Sequence, residues 1–135
     1  MAALTHLTPV LLELGGKDPV VILPHTNLER YSATWMRGVF QGAGQNCVGA
    51  ERFLVPVELH DAFVDMMEAR IKKLRLGSVL APSADGFVSV VDGGSMISDA
   101  RFDDLEKLIK SAERDGAEIV AGGERWRHAY LEEGS

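Results

Sequence analysis

The chain is poor in cysteine, in long apolar runs and in clustered positive charge. Its one cysteine, Cys47, excludes an internal disulfide and points to a reducing, intracellular and cytoplasmic setting. No apolar run approaches the roughly 18 residues of a membrane span, so no membrane segment is expected in this chain. Met1-Ala2-Ala3-Leu4-Thr5-His6-Leu7 has neither a basic start nor a long apolar centre and does not read as a signal peptide. A targeting segment is left to a longer parent chain. Basic residues number 14 against 20 acidic ones, a formal net charge of −6. Without a basic block or an RNA-binding motif, a nucleic-acid partner is excluded. Four scattered histidines and one cysteine give no metal-ligand pattern, and no metal is expected.

What is present suits a packed domain. Hydrophobic residues make up 46% of the 135, the size of one domain or of part of a larger one. Val10-Leu11-Leu12-Glu13-Leu14, closed by Gly15-Gly16, reads as a buried strand and a turn. Pro19 to Pro24 reads as the next strand, bounded by prolines. Thr26 and Glu29 fit a capping box. The helix they predict carries Leu28, Tyr31, Trp35, Met36, Val39 and Phe40 on one face and stops at Gly42 and Gly44. A strand over Glu51–Val57 completes a strand–helix–strand unit.

Further on, a helix is expected over Asp61–Leu74, with Phe63, Met67, Ile71 and Leu74 inward and a Glu68/Lys72 pair outward. Its basic end, Arg70 to Arg75, reads as a solvated cluster offsetting the helix dipole. Glycines and prolines break residues 76–96 into loops, with Phe87–Val91 as a short strand. Ser98 or Asp99 caps a helix bearing Phe102, Leu105, Leu108, Ile109 and Ala112. Asp103/Lys107 and Glu106/Lys110 are expected as pairs on its outer face. Ala117–Gly123 reads as a last strand and turn. Alternating strands and helices imply an α/β fold with an open, mostly parallel sheet and flanking helices.

Two residues call for chemistry. Cys47 lies in Gly42-Ala43-Gly44-Gln45-Asn46-Cys47-Val48-Gly49, where small residues leave a thiol reachable and let backbone approach a ligand. As a thiolate it would attack carbonyls. The plain alternative is a small buried hydrophobe. Glu13 interrupts an apolar run. It is either an exposed carboxylate, paired with Lys17 or solvated, or a partly desolvated base. Both sit beside glycine-rich turns at the ends of predicted elements, where ligands of open α/β sheets bind.

Glu13-Leu14-Gly15-Gly16-Lys17, followed thirty-four positions after the glutamate by Gly44-Gln45-Asn46-Cys47, resembles the aldehyde dehydrogenase superfamily. The resemblance runs on through Glu51-Arg52-Phe53-Leu54-Val55 and the Ser98–Gly123 stretch, and Gly-Gln-Asn-Cys-Val-Gly-Ala-Glu-Arg-Phe is most similar to a fungal branch. It implies that Cys47 attacks an aldehyde and that the oxyanion is held by the Cys47 backbone N–H and an asparagine. Hydride then passes to NAD or NADP, and Glu13 activates the water that hydrolyses the thioester. It also implies cofactor contacts at the backbone of Leu14 and Gly15. Arg101 matches a position near the nicotinamide ribose, though a solvated helix-start residue is the favoured reading there. The parent is expected to be a homo-dimer or homo-tetramer acting on a small aldehyde.

The departures set a further expectation. Residues 1–135 match part of a catalytic domain, without the nucleotide-binding domain and the C-terminal part. The oxyanion-hole asparagine and the ribose-binding lysine and glutamate lie outside the match. No Gly-x-Gly-x-x-Gly follows a strand, and Ser78–Met96 is longer than the family's connection. The chain alone is therefore expected not to oxidise aldehydes. The competing classes are a non-catalytic truncated isoform or interaction module, and a cysteine–histidine enzyme using His6, His25, His60 or His128.

Overall fold

The computed structural model describes residues 9–80 and 90–126. Within them, β1 (Asp18–Val21), α1 (Leu28–Phe40) and β2 (Ala50–Leu54) form the expected strand–helix–strand unit. The two strands are parallel, so the chain must return along α1 before pairing. Val20 lies opposite Phe53 and Val21 opposite Leu54, and the Ile22 N–H extends the ladder to the Leu54 carbonyl at 3.0 Å. The register shifts between Asp18 and Pro19. Pro19 has no N–H to donate, which is where a ladder tolerates an irregularity.

The side-chain alternation of the strands decides where the core sits. Val20 and Ile22 point to one face with Phe53 and Val55, and there they meet α1 and α2 (Val57–Ile71). Ile22, Phe63 and Met67 are buried, with Trp35 and Met36 packed against them. Trp35, Phe53 and Phe63 pack with ring centroids 5.3–6.3 Å apart, a range that favours aromatic pairs. Val21, Leu23 and Leu54 point to the other face and are exposed.

Several boundaries differ from the sequence reading. The cap of α1 is Asn27, whose Oδ1 accepts the Arg30 N–H at 3.0 Å. Thr26 instead donates its hydroxyl to the Leu23 carbonyl at 2.7 Å, closing the preceding turn. The residue that α1 buries completely is Ser32, which donates to the Glu29 carbonyl at 2.7 Å, while Tyr31 is exposed. A hydroxyl satisfied within its own helix fits a core at no hydrogen-bonding cost. α2 starts at Val57 because Pro56 serves as its first, non-helical position, a place where the missing N–H is not needed. Arg70 pairs with Glu29 of α1 and Lys72 with Glu68, so only part of the basic end is solvated.

Two expected strands are absent. Residues 10–14 run exposed, with Leu11 and Leu14 each 88% accessible. Residues 117–121 are likewise irregular. Each has the composition of a strand, but a strand exists only through a partner's hydrogen bonds, and among the described residues neither segment has one. The expected Phe87–Val91 strand falls largely outside the described residues, and Val90 and Val91 are not in a strand. α3 (Phe102–Arg114) follows Arg101, with no side-chain cap. Ser98 Oγ accepts from Ala100 instead. Arg125 takes Asp103 and Glu106 as its partners in place of the expected lysine pairs, and Lys107 pairs with Asp104. Among the described residues no other helix or strand packs against α3.

Arg75 and Asp92 close the intervening segment. The Asp92 carboxylate accepts from Arg75 Nε at 2.7 Å, from Nη2 at 2.8 Å and from the Arg75 backbone N–H at 3.0 Å. Leu76 and Gly93 bridge beside them.

Two outcomes follow from this architecture. Phe63→Ala removes the ring shared by Trp35 and Phe53 and is expected to cost about 3–5 kcal/mol. With so small a buried core, loss of the cooperative thermal transition by circular dichroism is the expected readout. The Arg75 hydrogen bonds hold the Asp92 carboxyl at about 2, below its ordinary 3.8. A depressed carboxyl stabilises fully above the unfolded-chain value and loses that contribution as pH falls through the folded one. The Leu76 and Gly93 amide resonances should therefore move with a midpoint near 2, and that transition should vanish in Asp92→Asn.

Candidate functional site

The turn that carries Cys47 is built by the end of α1. Gly42, Ala43 and Gly44 take φ of 63°, 56° and 74° in the short 3-10 turn Gln41–Gly44. Glycine enters this left-handed region freely, whereas Ala43 does so at a cost of about 1 kcal/mol. The chain reverses there and is locked by backbone hydrogen bonds from Gln45 to Gly42 (3.1 Å), Asn46 to Gly44 (2.9 Å) and Gly49 to Asn46 (3.1 Å). Asn46 Oδ1 accepts the Val48 N–H at 3.3 Å and lies 3.8 Å from the Cys47 sulfur. Cys47 is exposed, which excludes the packing alternative. Among the described residues its backbone N–H has no partner, so a donor stands free beside the thiol.

Parallel pairing brings the second motif to the same place. Asp18 is opposite Ala50, so the residues just before β1 lie beside the residues just before β2. Gly16 abuts the Cys47 carbonyl so closely that a Cβ there would stand 2.2 Å from its oxygen. Arg52 Nε donates to the Lys17 carbonyl at 2.9 Å, and the Lys17 ammonium pairs with Glu51. These contacts pin Gly16 and Lys17 against the turn of Cys47. Glu13 itself is exposed, and Lys17 is taken by Glu51. Of the alternatives read for Glu13, the described residues show the exposed carboxylate, and its pairing with Lys17 is corrected, since Glu51 takes that ammonium.

Both motifs lie at the amino ends of the strands, not the carboxyl ends. Gly15-Gly16 leads into β1 and terminates no earlier strand. A cleft of about 540 Å³ does sit at the carboxyl ends, lined by Ile22, Phe53, Val55, Pro56, His60 and Phe63. Cys47 is not among its walls. His60 contacts Asp61 and His25 follows β1, so neither meets Cys47. His6 and His128 are outside the described residues.

Cofactor contacts were expected at Leu14 and Gly15. Gly15 has φ 134°, and nothing lies within 4 Å of where its Cβ would be. Among the described residues, the backbone of Leu14 and Gly15 has no hydrogen-bond partner. The N–H and C=O groups of this strip are thus open to a ligand. Arg101 is a solvated helix-start residue paired with Asp104. Among the described residues, no group of three or more His, Cys, Asp or Glu is placed to hold a metal ion, and no helix is long and apolar enough to cross a membrane.

The sequence reading missed Gly16 and Arg52 as parts of the site. The glycine doublet was the available signal, since Gly15 has a positive φ and Gly16 does not, so the second glycine serves close approach. Gly16→Ala drives a methyl into the Cys47 carbonyl and is expected to destabilise by about 1–3 kcal/mol. It should also displace the amide resonances of Asn46–Gly49. An unchanged spectrum there would show that the two motifs do not touch.

The aldehyde dehydrogenase family model matches residues 1–135. An aldehyde dehydrogenase-like protein of Saccharomyces cerevisiae is 43% identical, over 98% of this chain and 20% of that protein. The NADP(+) succinate-semialdehyde dehydrogenase 1 of Mycobacterium tuberculosis is 34% identical over 120 residues, 89% of this chain and 25% of that enzyme. Among solved structures, a point mutant of Staphylococcus aureus betaine aldehyde dehydrogenase, with NAD+ and a β-mercaptoethanol-modified cysteine, superposes with a TM-score of 0.80. It is 31% identical, over 98% of this chain and 26% of that one. The chain thus spans about a quarter or less of the length of these relatives. It belongs to the aldehyde dehydrogenase family, whose members are oxidoreductases that oxidise aldehydes.

Proposed function

We propose that these residues are part of the catalytic domain of an enzyme that oxidises an aldehyde to a carboxylic acid with NAD or NADP, and that Cys47 is its nucleophile and Glu13 its base. The observation that carries this reading is the contact of Gly16 with the Cys47 carbonyl. It joins the segment of Glu13 to the turn of an exposed thiol. The modified cysteine of the Staphylococcus aureus relative supports a reachable thiol in this family.

The chemistry follows from what each group can do. The Cys47 sulfur adds to the carbonyl carbon as a thiolate, and the carbonyl oxygen becomes an oxyanion. The Cys47 N–H, which has no partner among the described residues, would donate to that oxygen. A nicotinamide cofactor, when bound, supplies the hydride acceptor that turns the thiohemiacetal into a thioester. The open backbone of Leu14 and Gly15 would hold its edge. Glu13 takes a proton from water, whose oxygen attacks the thioester carbon; the acid leaves and the Cys47 sulfur is regenerated.

Taken alone, the 135 residues stop short of that cycle. They hold one strip of the cofactor's surroundings and leave the Glu13 carboxylate in bulk solvent. Acyl transfer to Cys47 needs neither. With a p-nitrophenyl ester, the chain is expected to release one equivalent of p-nitrophenolate as the acyl group moves to sulfur, and Cys47→Ser to release none. Glu13→Gln should keep that first equivalent, because acylation of the sulfur does not use the carboxylate. No aldehyde-dependent rise in NAD(P)H is expected from the chain by itself. A first equivalent that survives in Cys47→Ser overturns the assignment.

A further inference from the structure

Gln45 stands two residues before Cys47, and both ends of its side-chain amide are engaged. Its Nε2 donates to the Gly42 carbonyl at 3.1 Å, inside the turn that precedes the thiol. Its Oε1 accepts the Ile97 N–H at 2.8 Å, across fifty-two positions of sequence. Ile97 belongs to the stretch that leads into α3, and its own side chain is 95% exposed, so the hydrogen bond and not burial fixes it there. Five residues earlier the same stretch is gripped by the Arg75–Asp92 clamp. The Asp92 and Gly93 N–H groups both donate to the Arg75 carbonyl, at 2.9 and 3.1 Å. α2 ends at Ile71, so the clamp stands four residues from a rigid core helix.

The Gly77 N–H adds a bond to the Gly93 carbonyl at 3.1 Å, so residues 92–97 are tied to the preceding chain by two polar anchors, at the clamp and at Gln45. Since α3 packs against no other element, its apolar contacts do not replace them. One anchor stands four residues past the end of α2. The other sits on the turn that carries Cys47.

We propose that Gln45 is a positioning residue for Cys47, acting by tying the nucleophile's turn to the Asp92–Ile97 stretch that the Arg75–Asp92 clamp holds in place. The proposal rests on the reading of Cys47 as nucleophile. Its physical logic is that the turn's own hydrogen bonds fix its internal shape but leave a glycine-rich segment little stiffness against moving as a whole. An amide that crosslinks it to a clamped segment supplies that stiffness, and an oxyanion donor works only when it is held before the reaction begins.

The test compares Gln45→Met, which keeps the length but not the polar atoms, with Asp92→Asn at the distant clamp, and with the double variant. Amide hydrogen exchange at Asn46–Gly49 and Ile97 reads the tie independently of any chemistry. Both single variants should speed it, and the double variant should do no more than the stronger single one, as for two residues acting through one element. The second readout is a split. Acylation of Cys47 by a p-nitrophenyl ester, which needs the oxyanion donor, should fall about tenfold. Alkylation by iodoacetamide, which needs only the thiolate, should change less than about twofold. Mere loosening or unfolding would move both rates together and overturns the proposal, as does unaltered exchange at Asn46–Gly49 in Asp92→Asn. If wild-type Cys47 is not acylated at all, the nucleophile reading fails, and the exchange data alone decide whether the tie exists.

Discussion

Parallel pairing of β1 with β2 is the constraint on which the site depends. Two parallel strands present their amino ends on the same side, and the segments that lead into them must lie side by side there. The leading segments are Glu13–Lys17 and Gln45–Gly49. Neither has a hydrophobic anchor of its own: apart from Gly49, both are exposed. They meet because the ladder aligns Asp18 with Ala50, and because Gly16 lets backbone touch backbone at the Cys47 carbonyl. α1 serves the same end, since its length returns the chain to the correct edge and its last turn aims Cys47 outward.

Burial and polar contacts divide the remaining work. The apolar core lies on one face of a two-stranded sheet, where Ile22, Phe63 and Met67 are sealed by α1 and α2. Beyond α2, order rests on charge and hydrogen bonds: the Arg75–Asp92 clamp, the Gln45–Ile97 tie, and Arg125 against Asp103 and Glu106. Such contacts are directional but individually modest next to apolar burial. A described structure with a dry centre and a polar periphery of this kind is firm where Trp35 and Phe63 meet and compliant around α3.

What could be read in the sequence divides along the same line. Local rules found α1, both strands and α3, because helical spacing and prolines act over a few residues. They placed the cap of α1 one residue early, since Thr26 and Asn27 are equally good caps in isolation and only the turn to Leu23 chooses between them. Non-local facts were out of reach. Val10–Leu14 and Ala117–Ala121 look like strands, but partners make strands, and composition cannot show whether partners are in place. The candidate residues were legible from two motifs and their separation. The exposure of Glu13 was one of the alternatives read; the diversion of Lys17 to Glu51 and the close approach at Gly16 were not legible, because each depends on a neighbour some thirty positions away.

The shifted register at Pro19 bears on how such a chain tolerates change in length. A residue inserted between Gly16 and Val20 would slide the first motif past Cys47 or turn the strand's apolar face outward. The same holds between Cys47 and Ala50. Residues 77–91 lie between the two halves of a clamp whose ends are already joined, where loop closure costs only a logarithm of length. Insertions and deletions should accumulate there and be purged from the two short leaders, so that spacing, more than residue identity, is the signature the site leaves on a lineage.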